Sequence, residues 1–380
     1  MKRIRLGWIC IGVVVLAIVA FLLFLQVRSY SSYDVIQSLR HTDAQSTRYV
    51  AFGNRFVKYG SDGITCVDSD GNTVWNQSYE MDEPLLSVGD DYIAVGEWGG
   101  RQIYVLDKDG LAGKMETGSE ILQVSVSEKG TVAAVCVNDG VYYLCVYGKD
   151  GTQIAQGTIR MENSGYPMSI AISEDGTTLA VGFLSLSAGK VDSTLAFYNF
   201  SSVGQNEIDN LVGTFAFEDT MIAKVAFITD TTLVVYTDGG IYVYNGTKQP
   251  ELVNEIVPEE EPESIFYGNH VFGTVTRNSI SVATASGNAE GTAAYQMTLY
   301  STKGKEIFSE GLDINYKKVQ VLANGQIAVY GDHDLVIFTH FGIEKFAYTF
   351  EDTILCVRNV GILPIYEIVF EDHTDRIRLL

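Results

Sequence analysis

Two short runs set histidine among carboxylates: Asp332-His333-Asp334, and Asp372-His373-Thr374-Asp375 with Glu371 before it. Imidazole and carboxylate together suit a divalent cation. Both runs fall at the same corner of consecutive repeats. They should therefore project from one face and could gather Asp332, His333, Asp334, Asp372, His373 and Asp375 around one ion. A solvated acidic rim explains the same residues and is the favoured reading, because turns collect Asp without metal. Asp68-x-Asp70-Gly71, Asp107-x-Asp109-Gly110 and Asp150-Gly151 have the order of calcium loops. A calcium-binding hand needs a bidentate Glu at position twelve, where the first run has Tyr79. They read as hairpin corners.

Other chemistry finds little support. Cys10, Cys66, Cys136, Cys145 and Cys356 form no Cys-x-x-Cys, so neither a zinc site nor a dithiol motif is encoded. A two-residue Asp139-Gly140 turn would set Cys136 opposite Tyr143 and Cys145 opposite Ala134, a diagonal that disfavours a disulfide. Buried thiols are the reading, with a disulfide as the alternative an exported compartment permits. There is no Gly-x-Ser-x-Gly, and five histidines give no triad. The reading leans away from an enzyme without deciding the matter, and no cofactor is required beyond a possible divalent cation. An enzyme with a cation-assisted site at a channel mouth is the alternative.

The elements that would position these residues are strands. Gly is abundant at 37, Pro scarce at 6, and the apolar residues are rich in Val, Ile, Tyr and Phe. From Arg48 onward, alternating segments and turns repeat about every 40 residues, the period of four-stranded propeller blades. Gly71, Gly110, Gly151, Gly304 and Gly342 mark the corner between third and fourth strands; Asp62-Gly63, Gly99-Gly100, Asp139-Gly140 and Gly239-Gly240 mark the one before it. The expected fold is all-β, a propeller of eight four-stranded blades over residues 46–380, with seven as the alternative count and a β-sandwich array the less suitable architecture. The last repeat shows three strands, and its missing outer strand could come from residues 34–39 within a 28–45 connector.

Residues 6–27 are uncharged and apolar, long enough to cross a bilayer as a helix. Lys2, Arg3 and Arg5 precede them, which places residues 1–5 in the cytoplasm and the propeller outside the cell membrane. A cleaved signal with Val27 and Ser29 at the cleavage positions is the alternative, but the run exceeds a usual signal core. A formal charge of −21 excludes nucleic acid as a natural partner.

The corner 64–75, ITCVDSDGNTVW, resembles the repeat of quinoprotein-type propellers, also described as PQQ-like or WD40-like. The segments 103–115 and 299–308 are similar without the Trp. The resemblance implies a propeller scaffold. Quinone chemistry would need a Trp platform, a calcium-binding carboxylate cluster and an adjacent Cys pair, whereas the chain has Trp8, Trp75 and Trp98 and no adjacent cysteines. The whole arrangement, a basic tail, one span and an acidic propeller, also resembles an uncharacterised family of membrane-anchored propeller proteins of Gram-positive bacteria.

Interruptions of the repeat point to binding. Residues 185–192 and 278–292 read as long insertions between second and third strands, and 258–263, PEEEPE, as an acidic link between blades five and six. Such loops emerge on one face, and long loops on a rigid scaffold make binding surfaces. Ser185, Ser187, Lys190, Glu259, Glu260, Glu261, Asn278, Ser286, Asn288 and Glu290 are the candidate partner-binding residues. Residues 205–210 lie on the opposite face and read as decoration. The expected function is a protein-binding or assembly scaffold at the cell surface, its partner another membrane or surface protein. Glycan binding through some of the 22 Tyr is a further alternative.

Overall fold

The computed structural model describes residues 13–16, 24, 27–187, 189–278 and 293–380. They form thirty-two strands in eight four-stranded antiparallel sheets, an eight-bladed all-β propeller. The first strand, β1, is Tyr33–Arg40. Blade 1 follows with β2 (Arg48–Phe52), β3 (Arg55–Tyr59), β4 (Gly63–Val67) and β5 (Thr73–Ser78). Blade 2 has β6 (Pro84–Val88), β7 (Tyr92–Glu97), β8 (Gln102–Asp107) and β9 (Gly110–Glu116). Blade 3 has β10 (Glu120–Val126), β11 (Val132–Asn138), β12 (Val141–Tyr147) and β13 (Gln153–Ile159). Blade 4 has β14 (Tyr166–Ile172), β15 (Thr178–Ser187), β16 (Lys190–Asn199) and β17 (Leu211–Phe217). Blade 5 has β18 (Ile222–Phe227), β19 (Thr232–Thr237), β20 (Ile241–Asn245) and β21 (Glu251–Ile256). Blade 6 has β22 (Pro262–Gly268), β23 (Val271–Arg277), β24 (Tyr295–Ser301) and β25 (Glu306–Leu312). Blade 7 has β26 (Lys318–Val321), β27 (Ile327–Tyr330), β28 (Asp334–Phe338) and β29 (Glu344–Thr349). Blade 8 has β30 (Ile354–Asn359), β31 (Ile365–Phe370) and β32 (His373–Leu379), and β1 pairs with β32 as its outer strand.

Residues 44–313, blades 1 to 6, form one compact unit; residues 314–380 with those before 44 form a second. Within the first, apolar clusters lie between successive sheets. Strand β11, VAAVCVN, shows how: Val132, Ala134 and Cys136 join blade 2's side chains, while Ala133 and Val135 join blade 4's. A strand buried on both faces reads as a continuous apolar run instead of an alternating one. Cys66, Cys136 and Cys145 are buried free thiols in these layers, with Cys136 opposite Tyr143 and Cys145 opposite Ala134, and Cys356 is buried on β30 in the second unit.

The corner between third and fourth strands seats on the outer strand of the preceding blade. The Lys149 carbonyl of blade 3 lies against Gly113 of β9, where a β-carbon would approach it to 1.9 Å. Asn254 of β21 donates to the Gly304 carbonyl of blade 6 at 2.9 Å.

In the second unit, residues 28–30 run along β29. The Tyr30 amide donates to the Lys345 carbonyl at 2.8 Å, and Ser29 Oγ to the Glu344 carbonyl at 2.6 Å. Tyr33 then packs on Tyr348 and Phe350, ring centres 4.9 and 5.4 Å away. Among the described residues no helix is long and apolar enough to cross a membrane; the expected span, 6–27, falls mostly outside them.

Gly113→Ala drives a β-carbon into the Lys149 carbonyl and should cost ~1–3 kcal/mol in urea unfolding. Gly157→Ala in β13, where no atom lies within 4 Å of the added carbon, should stay within ~0.5 kcal/mol of wild type. Lys345 is buried beneath Tyr30, and desolvation pushes its ammonium down to about 8 from 10.5. The unfolded chain therefore holds a proton that the folded chain has released between those values. Stability should rise from about pH 8 to 10.5 relative to Lys345→Met, and the penalty is complete below pH 8.

Candidate functional site

The sequence-predicted metal residues are all placed in the second unit. Asp332 and His333 lie at the β27–β28 corner, with Asp334 opening β28. Lys317 Nζ pairs with Asp332 Oδ1, His333 Nδ1 lies 3.3 Å from the Asp352 carbonyl, and Thr349 Oγ1 donates to Asp334 Oδ1 at 2.6 Å. At the β31–β32 corner the His373 ring stacks on Phe370 at 4.7 Å between ring centres. Its Nδ1 is 2.6 Å from Asp372 Oδ1, and its Nε2 is 3.6 Å from Asp375 Oδ2. The hydrogen bond from His373 holds the Asp372 carboxyl below its usual range. Each corner is thus engaged locally. Among the described residues no group of three or more His, Cys, Asp or Glu side chains is arranged to hold a metal ion.

The Asp-Gly corners are built by their own carboxylates. Asp68 Oδ1 accepts the Asp70 and Asn72 amides, both at 2.9 Å, and Asp107 Oδ1 accepts the Asp109 amide at 2.7 Å. These bonds close Asx turns, which accounts for Asp at such positions.

Two of the three interruptions of the repeat, 185–192 and 258–263, meet around Asp219 in the first unit; residues 279–292 lie outside the described residues. Residues 185–192 are not a loop. They continue β15 and β16 into an arm in which Ser185 pairs with Asp192, Leu186 with Val191 and Ser187 with Lys190. The matched apolar pair explains the difference: Leu186 and Val191 alternate with polar residues across a Gly turn, the pattern of a hairpin. Leu186 is 75% exposed, a large apolar side chain held out at the arm's tip.

The arm is tied to the blade 4–5 connection, where Lys190 Nζ meets Asp219 Oδ2 at 3.0 Å and Asp192 Oδ1 accepts the Asp219 amide at 2.9 Å. Asp238 at the β19–β20 corner accepts the Met221 amide at 2.9 Å. Beside them an open cleft of about 550 Å³ is lined by Asp219, Asp238, Glu260, Glu261 and the exposed Val257. Glu259 belongs to the same β21–β22 link. The Asn278 amide donates to the Ala294 carbonyl at 3.0 Å, where β23 and β24 end. Ser286, Asn288 and Glu290 lie outside the described residues.

Sequence reading missed two contributors. Asp219, with positive φ of 47°, and Asp238 sit in short corners that gave no signal of length. Their convergence depends on which corners the blade order brings side by side. The glycan reading is weakened where tyrosines are buried in the layers, as Tyr79, Tyr104, Tyr236, Tyr244 and Tyr300 are.

A family model described as a family of unknown function, DUF5711, matches residues 26–379. The chain belongs to DUF5711. No curated protein matches this DUF5711 chain. Among solved structures it is similar to the C-terminal WD40 domain of Sif2, with TM-score 0.60 and 11% identity over 92% of this chain and 99% of that one. It is also similar to the computationally designed Ika8 protein, with TM-score 0.56 and 14% identity over 93% and 100%. BamB from Moraxella catarrhalis matches with TM-score 0.52 and 10% identity over 92% and 100%. At these identities the likeness establishes the propeller fold and carries no chemistry with it.

The carboxylates of the cleft differ in what they hold. Asp238→Ala removes the acceptor of the Met221 amide and should cost ~1 kcal/mol in denaturant unfolding. Glu261→Gln should change stability by less than ~0.5 kcal/mol.

Proposed function

We propose that this protein is a membrane-tethered propeller outside the cytoplasm that recruits a protein partner with the blade 4–6 face. The observation that carries this reading is the convergence of an apolar-tipped arm, the Asp219 and Asp238 corners and the PEEEP link around one acidic cleft. An exposed Leu beside solvated carboxylates suits a partner that offers an apolar socket rimmed by Lys or Arg. Such charge complementarity speeds encounter and fixes register more than it adds affinity. The tether rests on the sequence: an uncharged run of spanning length after Lys2, Arg3 and Arg5, which orients residues 1–5 toward the cytoplasm.

Leu186→Asp combined with Val191→Asp tests the face, because both side chains stand out from the core. Crosslinking followed by purification from detergent-solubilised membranes should recover a stoichiometric partner with wild type and lose it at least ~10-fold with the double variant, the melting temperature unchanged. Binding should also weaken between 50 and 300 mM salt. Equal recovery of the partner by the double variant refutes the assignment of the face. Protease treatment of intact cells should digest the propeller, and deletion of residues 1–27 should release it from the membrane fraction; protection of the propeller would refute the topology.

A further inference from the structure

Within the first unit, equivalent positions on the outer strands are covered by the next blade's corner. The residue just after the bulge of each outer strand is Trp75, Gly113, Ala155, Gly213 or Asn254 in blades 1 to 5. Gly110 of blade 2 lies against Trp75, Lys149 against Gly113, Pro250 against Gly213, and Gly304 against Asn254. Blade 3 is the exception. There the following corner is the long 200–210 segment of blade 4, which contains the short 3-10 turns Gly204–Asn206 and Ile208–Asn210. A cleft of about 600 Å³ remains over β13.

Every residue from 155 to 160 lines this cleft. Side chains of a strand alternate between faces, so a pocket against one face would touch every second residue. Contact with consecutive residues brings the cleft to the backbone edge of β13 as well as over the face that carries Leu144 of β12. That edge carries no ladder, because β13 pairs only with β12. Residues 155–160 span ~20 Å when extended, room for a segment of similar length to lie alongside.

The far wall supplies Phe183, Tyr198 and Phe200, while Arg160 and Asp209 stand exposed at the rim without ion-pair partners among the described residues. Asp209 and Asn210 both have left-handed backbones, φ 56° and 59°, a strained pair that shapes the wall. The missing side chain of Gly157 leaves room at the strand itself.

We propose that this cleft binds an extended polypeptide segment that adds to β13 as a further strand. The segment lays one bulky apolar side chain over Tyr198 and Phe200, and it pairs an acidic residue with Arg160 and a basic one with Asp209. Backbone hydrogen bonds along a free edge supply affinity, and the pockets beside it select side chains. The site is separate from the blade 4–6 face and does not depend on that face having a partner.

The test is selection of a displayed library of random linear decapeptides on the purified full chain, with affinities of enriched peptides measured by fluorescence polarisation. Enriched peptides should carry an apolar residue flanked by charges of opposite sign. Gly157→Trp, which fills the cleft, should weaken them at least ~10-fold, while Gly157→Ala serves as the fold control. N-methylation of alternate peptide amides should abolish binding in one phase and spare it in the other, a readout that holds even if the Trp variant fails to fold. The proposal is overturned by absence of enrichment, by unchanged affinity in a folded Gly157→Trp variant, or by equal tolerance of both methylation phases. A glycan-array signal lost on Gly157→Trp without peptide binding would assign the cleft to sugars and overturn it equally.

Discussion

Burial of both faces of the middle strands is the constraint on which the rest depends. A sheet such as β10–β13 has no polar face to give to water: Val132, Ala134 and Cys136 need blade 2, and Ala133 and Val135 need blade 4. Each Val, Leu or Ile so covered contributes roughly 1.5–3 kcal/mol. No blade of this kind is stable alone, and neighbours must stack in order. The interior is therefore committed to packing. Chemistry and recognition are left to the corners and to the outer strands, where Gln153, Gln156 and Thr158 face solvent.

The second unit meets the same constraint with charge as well as apolar surface. Blade 8 carries a ladder across three strands, Arg358 on β30, Glu367 on β31 and Arg376 on β32. The Glu367 carboxylate is 2% exposed and accepts from Arg376 Nε at 2.9 Å and from the Arg358 guanidinium. Losing Glu367 would leave two arginines without the carboxylate between them, which is far more costly than the ladder's net worth to stability. The ladder fixes the register of the sheet whose outer edge is β1, a strand some 330 residues away in sequence. One-residue slippage would misalign every charge at once.

Strand positions were legible because the signals are local. Alternation, Asp-Gly turns and the 40-residue period mark out the repeats and the corners between their strands. Eight blades, left open against seven, follow once the last sheet is seen to take β1 as its fourth strand. Residues 185–192 were misjudged because Ser and Gly resemble loop composition, while the decisive feature is one cross-strand pair, Leu186 with Val191. The Arg358–Glu367–Arg376 ladder was invisible because it depends on register between strands. The mates of Asp332, His333 and Asp334 were invisible for the same reason: Lys317, Asp352 and Thr349 reach them through the folding of the sheet.

The two surfaces singled out here depart from the repeat in opposite ways. At blades 4 to 6 material is added: an arm outgrows its blade and a proline-flanked acidic link widens a corner. At blade 3 a contact is withheld. A short corner like Gly148–Thr152 in the place of residues 200–210 would cover Ala155 and Gly157, as its counterpart covers Gly113. The longer segment leaves that surface open and also holds Asp209 and Asn210 in left-handed conformations, which Asp and Asn adopt more readily than other L-residues. Neither feature helps the blades to stack. In a fold whose stability comes from repetition, a segment that forgoes the repeated contact while opening an aromatic-walled groove beside a free strand edge is best understood as shaped for an occupant.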